Sequence, residues 1–341
     1  MFPDWTWIVG LWIGACIGSF LNVVIYRLPR GLSIGKPTHS FCPNCKTRLG
    51  LPDLMPLLSW LFLKGKCRHC GNKVAARYFI VELINGILFA VIWYQQLIAG
   101  DDPIKAIGYS LFAACLVAAI FTDIEHYIIP DQINACMLLI GIGMNIALAL
   151  QPHHTAYFWK MPSSMIGALA GIGVLWGIAF LGRVLFGKDA MGHGDIKMAR
   201  GIGAVLLPVL SLISFALAVV LGAVLGIILI IVRKVRESKN PVVEEEEEED
   251  LPPETIGSLL WCGLGYVLCI DVFGLVFPKL YEWWFAENPY SVEAFEEDPE
   301  VELTVIPFGP YLAAGALGAV LFGPQLLALV ASYWNSVGGS R

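Results

Sequence analysis

Two aspartates stand at the ends of apolar segments, where a charged side chain is costly. Asp123 follows the apolar run 107–121, and Asp195 comes directly after the glycine pair Gly192 and Gly194. Carboxylates at membrane depth usually serve a function, and the two glycines let the backbone approach a substrate closely. Two carboxylates that meet in a helix bundle cannot both ionise comfortably, so one holds a proton. One can then activate water while the other donates to a peptide carbonyl, which predicts an aspartic protease.

Structural explanations compete with this catalytic interpretation. Asp195 could be the N-cap of a short apolar helix, which is a common use of aspartate. Asp131 follows Pro130 and suits the positive end of a helix dipole, so we interpret it as a helix-start residue. Asp123 has no such role, because it lies at a helix C-terminal end where its charge is disfavoured. We therefore predict Asp123 and Asp195 as the catalytic pair.

The elements that must position these residues are membrane helices. The chain has 341 residues, of which 57% are hydrophobic and only 15% are charged. Its mean hydropathy is +0.69. This composition excludes an ordinary soluble domain and predicts a polytopic membrane protein that is surrounded by a lipid bilayer. We expect no nucleic-acid partner.

Apolar windows long enough to span a bilayer, roughly 20 residues each, predict about eight transmembrane helices in an all-α protein. They lie at 5–26, 78–99, 104–122, 130–150, 163–186, 210–232, 256–278 and 306–334. A shorter apolar segment, 198–208, runs into the 210–232 window through Pro208 and is interpreted as a half-helix. The first window lacks a basic leader region and a cleavage site, which predicts a retained anchor.

Charge asymmetry predicts the topology. Ten basic residues lie between Arg27 and Arg77, with Asp53 the only acid among them. The positive-inside rule makes that loop cytoplasmic and places the N-terminus on the other side. The basic loop could also lie against anionic lipid. Counting spans from there brings both Asp123 and Asp195 to the cytoplasmic face.

Four of the nine cysteines form two CxxC pairs, Cys42 with Cys45 and Cys67 with Cys70. The separation of twenty-one residues matches a zinc ribbon, in which four thiolates close a structural site. The small cytoplasmic loop domain would gain its fold from the metal. The alternatives are disulfides, which a reducing cytoplasm disfavours, and a redox motif, which needs only one CxxC. His69 is expected at the surface, outside the ligand set.

The expected organisation has five parts. They are a first helix at 1–27, a zinc-binding domain at 28–77, a protease core at 78–235, an acidic insertion at 236–304 and a last helix at 305–341. Residues 237–302 hold eighteen acids and two lysines, and the run 244–250 is interpreted as a solvated linker. The apolar stretch 256–277 could span the membrane. We favour a re-entrant, interfacial or hairpin segment whose two ends stay cytoplasmic.

The combination of motifs resembles the type IV prepilin peptidases, polytopic aspartic proteases of the GxGD class. The similar segments are 18–29, the double CxxC loop, 123–131, 192–197 and 306–310. The likeness covers nearly all of 1–235 and 305–335. It implies cleavage of the basic leader of prepilins and type II secretion pseudopilins at the cytoplasmic face of a bacterial inner membrane. The catalytic pair carries over onto Asp123 and Asp195.

The resemblance also implies a second activity. Bifunctional members carry the extended cysteine loop and methylate the new N-terminal amine with S-adenosylmethionine. The sequence contains no readable motif for the methyl donor, so its binding residues are unknown. We further expect a basic leader to be attracted by Asp123, Glu125 and Asp131.

Two functions of other classes remain open from the residues alone. An ion-coupled transporter would use intramembrane acids as proton relays. It predicts acids near mid-bilayer and an inverted repeat, neither of which is visible in the sequence. A zinc-ribbon membrane scaffold would bind partners and do no chemistry.

Overall fold

The chain folds into a bundle of long helices. The computed structural model describes residues 2–42, 44–151, 157–158, 161–187, 191–237, 255–286 and 307–338. The helices are α1 Trp7–Arg27, α2 Leu58–Phe62, α3 Ala76–Ile92, α4 Pro103–His126, α5 Asp131–Ala149, α6 Ser163–Phe186, α7 His193–Glu237, α8 Ile256–Val267, α9 Ile270–Val276, α10 Pro278–Phe285 and α11 Gly309–Gly338. A π-helical turn, Trp93–Ile98, extends α3. One short antiparallel pair joins β1 Tyr157–Phe158 to β2 Met161–Pro162.

Seven helices in the described residues are long and apolar enough to cross a membrane. They are α1, α3 with its π-helical extension, α4, α5, α6, α7 as far as residue 229, and α11. The pair α8 and α9, bent by 68°, is an eighth candidate. The prediction of an all-α polytopic membrane protein with about eight membrane segments is confirmed.

Helix α7 reverses its direction at Leu207. Its backbone angles, φ 65° and ψ 170°, lie far from the helical region, and Pro208 follows it. The first arm, 193–206, runs parallel to α5, since Gly194 lies near Asn134 and Ala204 near Gly141. It therefore leads away from the end of the bundle where α5 begins.

The second arm of α7, residues 208–237, returns to that end. It lies antiparallel to α11, because Leu210 lies near Gly323 whereas Gly222 lies near Tyr311 at the start of α11. The predicted break at Pro208 is thus present. The 198–208 segment belongs to a separate arm that lies against α5 and α6.

The reversal explains how residues 255–286 are accommodated. The second arm of α7 and the first residues of α11, which flank this segment in the chain, lie at the same end of the bundle. Residues 255–286 therefore do not have to cross the bilayer, in keeping with the interpretation we favour for 256–277. The acidic run 244–250 lies outside the described residues.

Small residues let the helices approach closely. Gly10, Gly14 and Gly18 recur every four residues on α1, and a side chain on Gly14 would collide with Asn85 and Phe89 of α3. Gly171 of α6 likewise lies against the backbone of the first arm of α7. Without a hydrophobic driving force between helices in lipid, such close contacts are what hold a membrane bundle together.

Candidate active site and cysteine cluster

Asp123 lies in the last turn of α4, which ends at His126 because Tyr127 adopts a left-handed conformation with φ 54°. Its side chain is buried, with 6% exposed. The backbone N–H of Gly309, the first residue of α11, donates to the Asp123 carboxylate. Within the described residues no cation pairs with Asp123.

Asp195 lies in the first turn of α7 and is half-buried. The carboxylate of Asp123 is one of the charges that act on it, so the two acids are within electrostatic reach of each other. Gly192 lies beside it, since a Cβ atom there would be 3.7 Å from Asp195 Oδ2. The two predicted acids therefore come together at one end of the bundle.

Ile129 joins the segments that carry the two acids. A Cβ atom on Gly194 would lie 3.3 Å from Ile129 Cβ, and one on Gly309 would lie 2.9 Å from Ile129 Cδ1. A Cβ atom on Gly309 would also collide with the carboxylate of Asp123. The predicted motif glycines thus lie in the site, and Gly309 adds a position to which the sequence assigned no role.

Asp131 is the first residue of α5, as its helix-start interpretation predicts, but it has further partners. Lys197 Nζ donates to Asp131 Oδ1 at 2.7 Å and to Oδ2 at 2.9 Å. The hydroxyl of Tyr281 on α10 donates to Asp131 Oδ2 at 2.8 Å. Lys197 follows Asp195 by two residues, so this network fixes the start of α7 against the start of α5.

A second ion pair anchors residues 255–286 to α7. Arg200 Nη1 donates to Asp271 Oδ1 at 2.8 Å and to the carbonyl oxygen of Tyr266 at 2.7 Å, and Arg200 Nη2 donates to the other Asp271 oxygen. The side chains of this pair are 1% and 2% exposed. Sequence reasoning missed these partners, because they are about seventy residues apart and no local pattern couples them. The one available signal was Asp271 itself, because an acid in an otherwise apolar stretch indicates a buried partner of opposite charge.

The expectation that three acids attract a basic leader needs correction. Glu125 forms an ion pair with Arg77, and Asp131 forms one with Lys197. Both carboxylates are already neutralised by cations of the protein. Of the three, Asp123 alone keeps a carboxylate without a cationic partner among the described residues.

The four predicted cysteines converge on one point. The sulfur atoms of Cys42, Cys45, Cys67 and Cys70 all lie within 4.8 Å of one another, and none of these cysteines is in a disulfide. All four sulfur atoms could bind one tetrahedral zinc ion, with Zn–S bonds of about 2.3 Å, if they moved slightly closer together. The cluster fits a structural metal site.

The two CxxC segments have the same backbone turn. Phe41 bridges to Arg48 in the first and Lys66 to Lys73 in the second, and in each case the bridged residues are seven positions apart. The turns require left-handed residues, which are Lys46 at φ 56° and Gly71 at φ 72°. The two cysteine pairs therefore have matching backbone geometry.

Hydrogen bonds to sulfur favour thiolates in this cluster. The hydroxyl and the backbone N–H of Thr47 lower the pKa of Cys45 to about 6. The backbone N–H groups of Cys70 and His69 lower the pKa of Cys67. Burial acts the other way and raises the pKa of Cys42. Because the thiolate is the metal-binding form, such donors suit a metal site. His69 lies outside the cluster, as expected.

The cysteine domain is attached to the end of the bundle that carries both acids. Arg30, just after α1, lies 3.3 Å from His126 Nε2 at the end of α4, and Arg77 at the start of α3 pairs with Glu125. Arg27 is buried and donates to carbonyl oxygens of the following loop, including that of Ile34 at 2.8 Å. The basic loop and the two aspartates thus share one end, as the charge pattern predicts.

Comparison with known proteins agrees with this geometry. Residues 12–96 match the model of the Bacterial Peptidase A24 N-terminal domain, and residues 109–227 match that of the Type IV leader peptidase family. A prepilin leader peptidase/N-methyltransferase of Myxococcus xanthus is 32% identical over 326 residues, covering 92% of this chain and 89% of that protein. One of Aeromonas salmonicida is 35% identical, covering 65% of this chain and 81% of that protein.

These matches define a membrane-embedded peptidase. The chain belongs to the prepilin leader peptidase/N-methyltransferase family. A member from Dichelobacter nodosus is 30% identical over 242 residues and carries the same name. No solved structure matches the chain.

Proposed function

We propose that this protein is a membrane aspartic endopeptidase that removes the leader peptide of type IV prepilins and type II secretion pseudopilins. The observation that carries the proposal is that Asp123 and Asp195 lie within electrostatic reach of each other at one end of the bundle, in a chain of the leader peptidase family. Acids at one end argue against an ion-coupled transporter, which needs them near mid-bilayer.

Asp123 and Asp195 are the catalytic residues of this proposal. One carboxylate takes a proton from the attacking water, and the other donates a proton to the carbonyl oxygen of the scissile peptide. Gly309 supplies a fixed N–H to Asp123, which orients that carboxylate before the substrate arrives. Gly192 and Gly194 leave room for the substrate backbone beside the acids.

The active site faces the cytoplasm of a bacterial inner membrane in this proposal. The support is the attachment of the basic loop, with its ten lysines and arginines, to the same end of the bundle as the acids. Loops rich in lysine and arginine stay on the cytoplasmic side. A basic leader could then reach the buried, cation-free carboxylate of Asp123 from the cytoplasm.

Methylation of the newly formed N-terminal amine is the second activity that we propose. The names of the relatives include an N-methyltransferase, and S-adenosylmethionine is the methyl donor that the resemblance implies. We also propose zinc as the resident metal of the cysteine cluster, because four thiolates in CxxC pairs are its preferred structural site. Metal analysis of the purified protein should find one zinc ion per chain, and Cys42→Ser with Cys67→Ser should lose it.

The peptidase assignment is tested by cleavage of a synthetic prepilin with purified protein in detergent. Mass spectrometry should find a single cut, at the end of the leader peptide. The Asp195→Asn variant should yield no product while its thermal unfolding curve matches that of the wild type. Intact substrate with the folded wild-type protein would refute the assignment.

A further inference from the structure

Residues 51–62, which include the short helix α2, place large apolar side chains on the surface of the cysteine domain. Leu51 is 85% exposed and Phe62 is 81% exposed, and Met55 and Leu61 are exposed as well. Large apolar side chains that are exposed in one short segment mark a contact with a membrane or with another protein. Neither the proposed catalytic pair nor the metal site uses these residues.

Two contacts with α3 fix the depth of the 51–62 segment along the bundle. The backbone N–H of Leu57 donates to Glu82 Oε2 at 2.8 Å. The ring of Trp60 stacks on that of Phe79, with centroids 5.1 Å apart. Since α3 begins at Ala76 and a helix rises 1.5 Å per residue, Glu82 lies about 9 Å inside it. Helix α2 therefore lies beside the first turns of α3 and not beyond its end.

Helix α1 gives the same depth. A Cβ atom on Gly18 would lie 2.8 Å from the Cα atom of Glu82, so these two residues are at one level. Gly18 is more than two turns before Arg27, the last residue of α1. Both α1 and α3 are long and apolar enough to cross a membrane. The hydrogen bond from Leu57 to Glu82 thus lies within the length of two membrane helices.

The surface of α3 is apolar at this level. Ile80, Leu83 and Ile84 are exposed there, and exposed aliphatic side chains of a membrane helix contact lipid. The exposed side chains of the 51–62 segment therefore lie at the depth where the lipid-facing surface of α3 begins. A partner that covers both surfaces without a break is the bilayer itself.

Basic residues follow the apolar side chains directly. The chain turns sharply after α2, because Lys64 at φ 52° and Gly65 at φ 66° are left-handed. Lys64 and Lys66 are exposed beyond Leu61 and Phe62. Segments that lie in a membrane interface combine leucine and phenylalanine on one side with lysine on the other. The lysine chains can lie along acyl tails while their ammonium groups reach anionic headgroups.

We propose that the 51–62 segment inserts into the leaflet beside the two aspartates and anchors the cysteine domain to anionic lipid. Leu61 and Phe62 enter the boundary between headgroups and acyl chains, and Lys64 and Lys66 bind lipid phosphates. That this leaflet is the cytoplasmic one rests on the orientation proposed above, whereas the insertion itself does not. The domain is then held on one side by the Arg77–Glu125 ion pair and on the other by lipid.

Photo-cross-linking of the full-length protein in lipid nanodiscs tests the insertion. The photoreactive residue p-benzoylphenylalanine takes the place of Phe62 in one sample and of Ile87, an exposed residue further along α3, in the control. The discs hold equal amounts of phosphatidylglycerol and phosphatidylcholine. After illumination, mass spectrometry should find lipid adducts at position 62 with a yield within three-fold of that at position 87. A yield below one tenth of the control would overturn the proposal.

The same samples distinguish lipid from other occupants of the surface. A cross-linked dimer in place of lipid adducts would assign the surface to a second copy of the chain and overturn the proposal. Loss of the lipid adducts when prepilin is added, with a cross-link to prepilin instead, would assign it to the substrate and overturn the proposal equally. Lipid capture does not require catalysis, so capture by a folded protein that leaves prepilin intact would refute the peptidase assignment alone.

The lysines are tested by which lipid is captured. At position 62 phosphatidylglycerol should be captured at least twice as often as phosphatidylcholine. Lys64→Gln combined with Lys66→Gln should remove this preference and leave the total yield unchanged. Lys105→Gln, at the opposite end of the bundle near the start of α4, is the control and should keep the preference. Zinc content and thermal unfolding report whether each variant is folded. Equal capture of the two lipids with all lysines present would overturn the binding of anionic headgroups.

Discussion

Gly309 is the residue that sets where the Asp123 carboxylate can lie. Its N–H donates to that carboxylate, and its missing side chain leaves the space that the carboxylate and Ile129 occupy. A hydrogen-bond donor fixed in advance needs no rearrangement during the reaction, which is how preorganised sites gain their rate. Gly309 therefore both leaves room for the carboxylate and stabilises its charge with a hydrogen bond.

Replacing Gly309 by alanine should cost most of the activity. The new Cβ atom would collide with the Asp123 carboxylate, and a displacement of about 1 Å can cost roughly 100-fold in rate. We expect a fall in kcat of that order in the prepilin cleavage assay. Gly318→Ala on the same helix is the control, because its Cβ would lie at an ordinary 3.7 Å from Leu217. Equal activities of the two variants would show that Gly309 does not position Asp123.

The sequence identified the acids but not the residue that positions them. Asp123 and Asp195 could be predicted because a carboxylate at the end of an apolar run has few structural reasons to be there. Gly309 carries no such signal, since a glycine before Pro310 at a helix start is ordinary. Its role depends on a contact with a residue nearly two hundred positions earlier, which local sequence does not encode.

Among the helices, residues 255–286 pack against the start of α7 and hold it in position. We call this segment the brace. Tyr281 donates to Asp131, Lys197 pairs with Asp131, and Arg200 pairs with Asp271. The ring of Tyr266 lies 5.1 Å from Lys197 Nζ. These contacts surround the first turns of the arm that carries Asp195, so the brace determines the position of the second acid.

Removal of one hydroxyl should loosen this brace. Tyr281→Phe keeps the ring but loses the hydrogen bond to Asp131, and a bond to a charged group contributes about 1.5–3 kcal/mol. We expect a lower thermal midpoint and a kcat reduced several-fold, with KM unchanged because the substrate contacts stay in place. Trp283→Phe on the same helix is the control, since that side chain is 72% exposed. A Tyr281→Phe variant as active as this control would contradict the role of the brace.

Some of this element-scale structure was readable in advance. Pro208 marks the break in α7, because proline cannot continue a helix without losing a hydrogen bond. The reversal at Leu207 was not predictable, since a positive φ is rare at leucine and no local sequence signal marks it. The Arg200–Asp271 pair was equally hidden, because its two members come from segments that meet only in the folded bundle.

At the scale of the whole molecule, the reversal decides which side of the membrane each connection occupies. The two arms of α7 bring the chain back to the end that holds the acids, and α11 leaves from that end. The charge pattern alone could not distinguish this path from one in which 256–277 crosses the bilayer, because acidic residues contribute little to orientation.

Reporter insertions distinguish these two paths. Green fluorescent protein inserted after Glu237 should fluoresce, because the second arm of α7 returns to the end of the bundle that we propose to be cytoplasmic. The same insertion after Gln151, beyond the far end of α5, should stay dark, and alkaline phosphatase there should be active. Active phosphatase and no fluorescence at the Glu237 position would mean that α7 crosses the bilayer as a single helix.

In the proposed mechanism, two of the three acids at this end of the bundle perform the cleavage. Asp131 lies at the same end of the bundle but is paired with Lys197 and Tyr281, whereas Asp123 has no cationic partner in the described part of the chain. The most direct measurement is kcat/KM for prepilin cleavage by the Asp123→Asn, Asp195→Asn and Asp131→Asn variants, each with a confirmed fold. We expect a loss of roughly 1,000-fold or more for the first two, in line with general acid–base catalysis, and less than about ten-fold for the third. Near wild-type activity in either of the first two, or a loss as large in the third, would contradict the assignment of the catalytic pair.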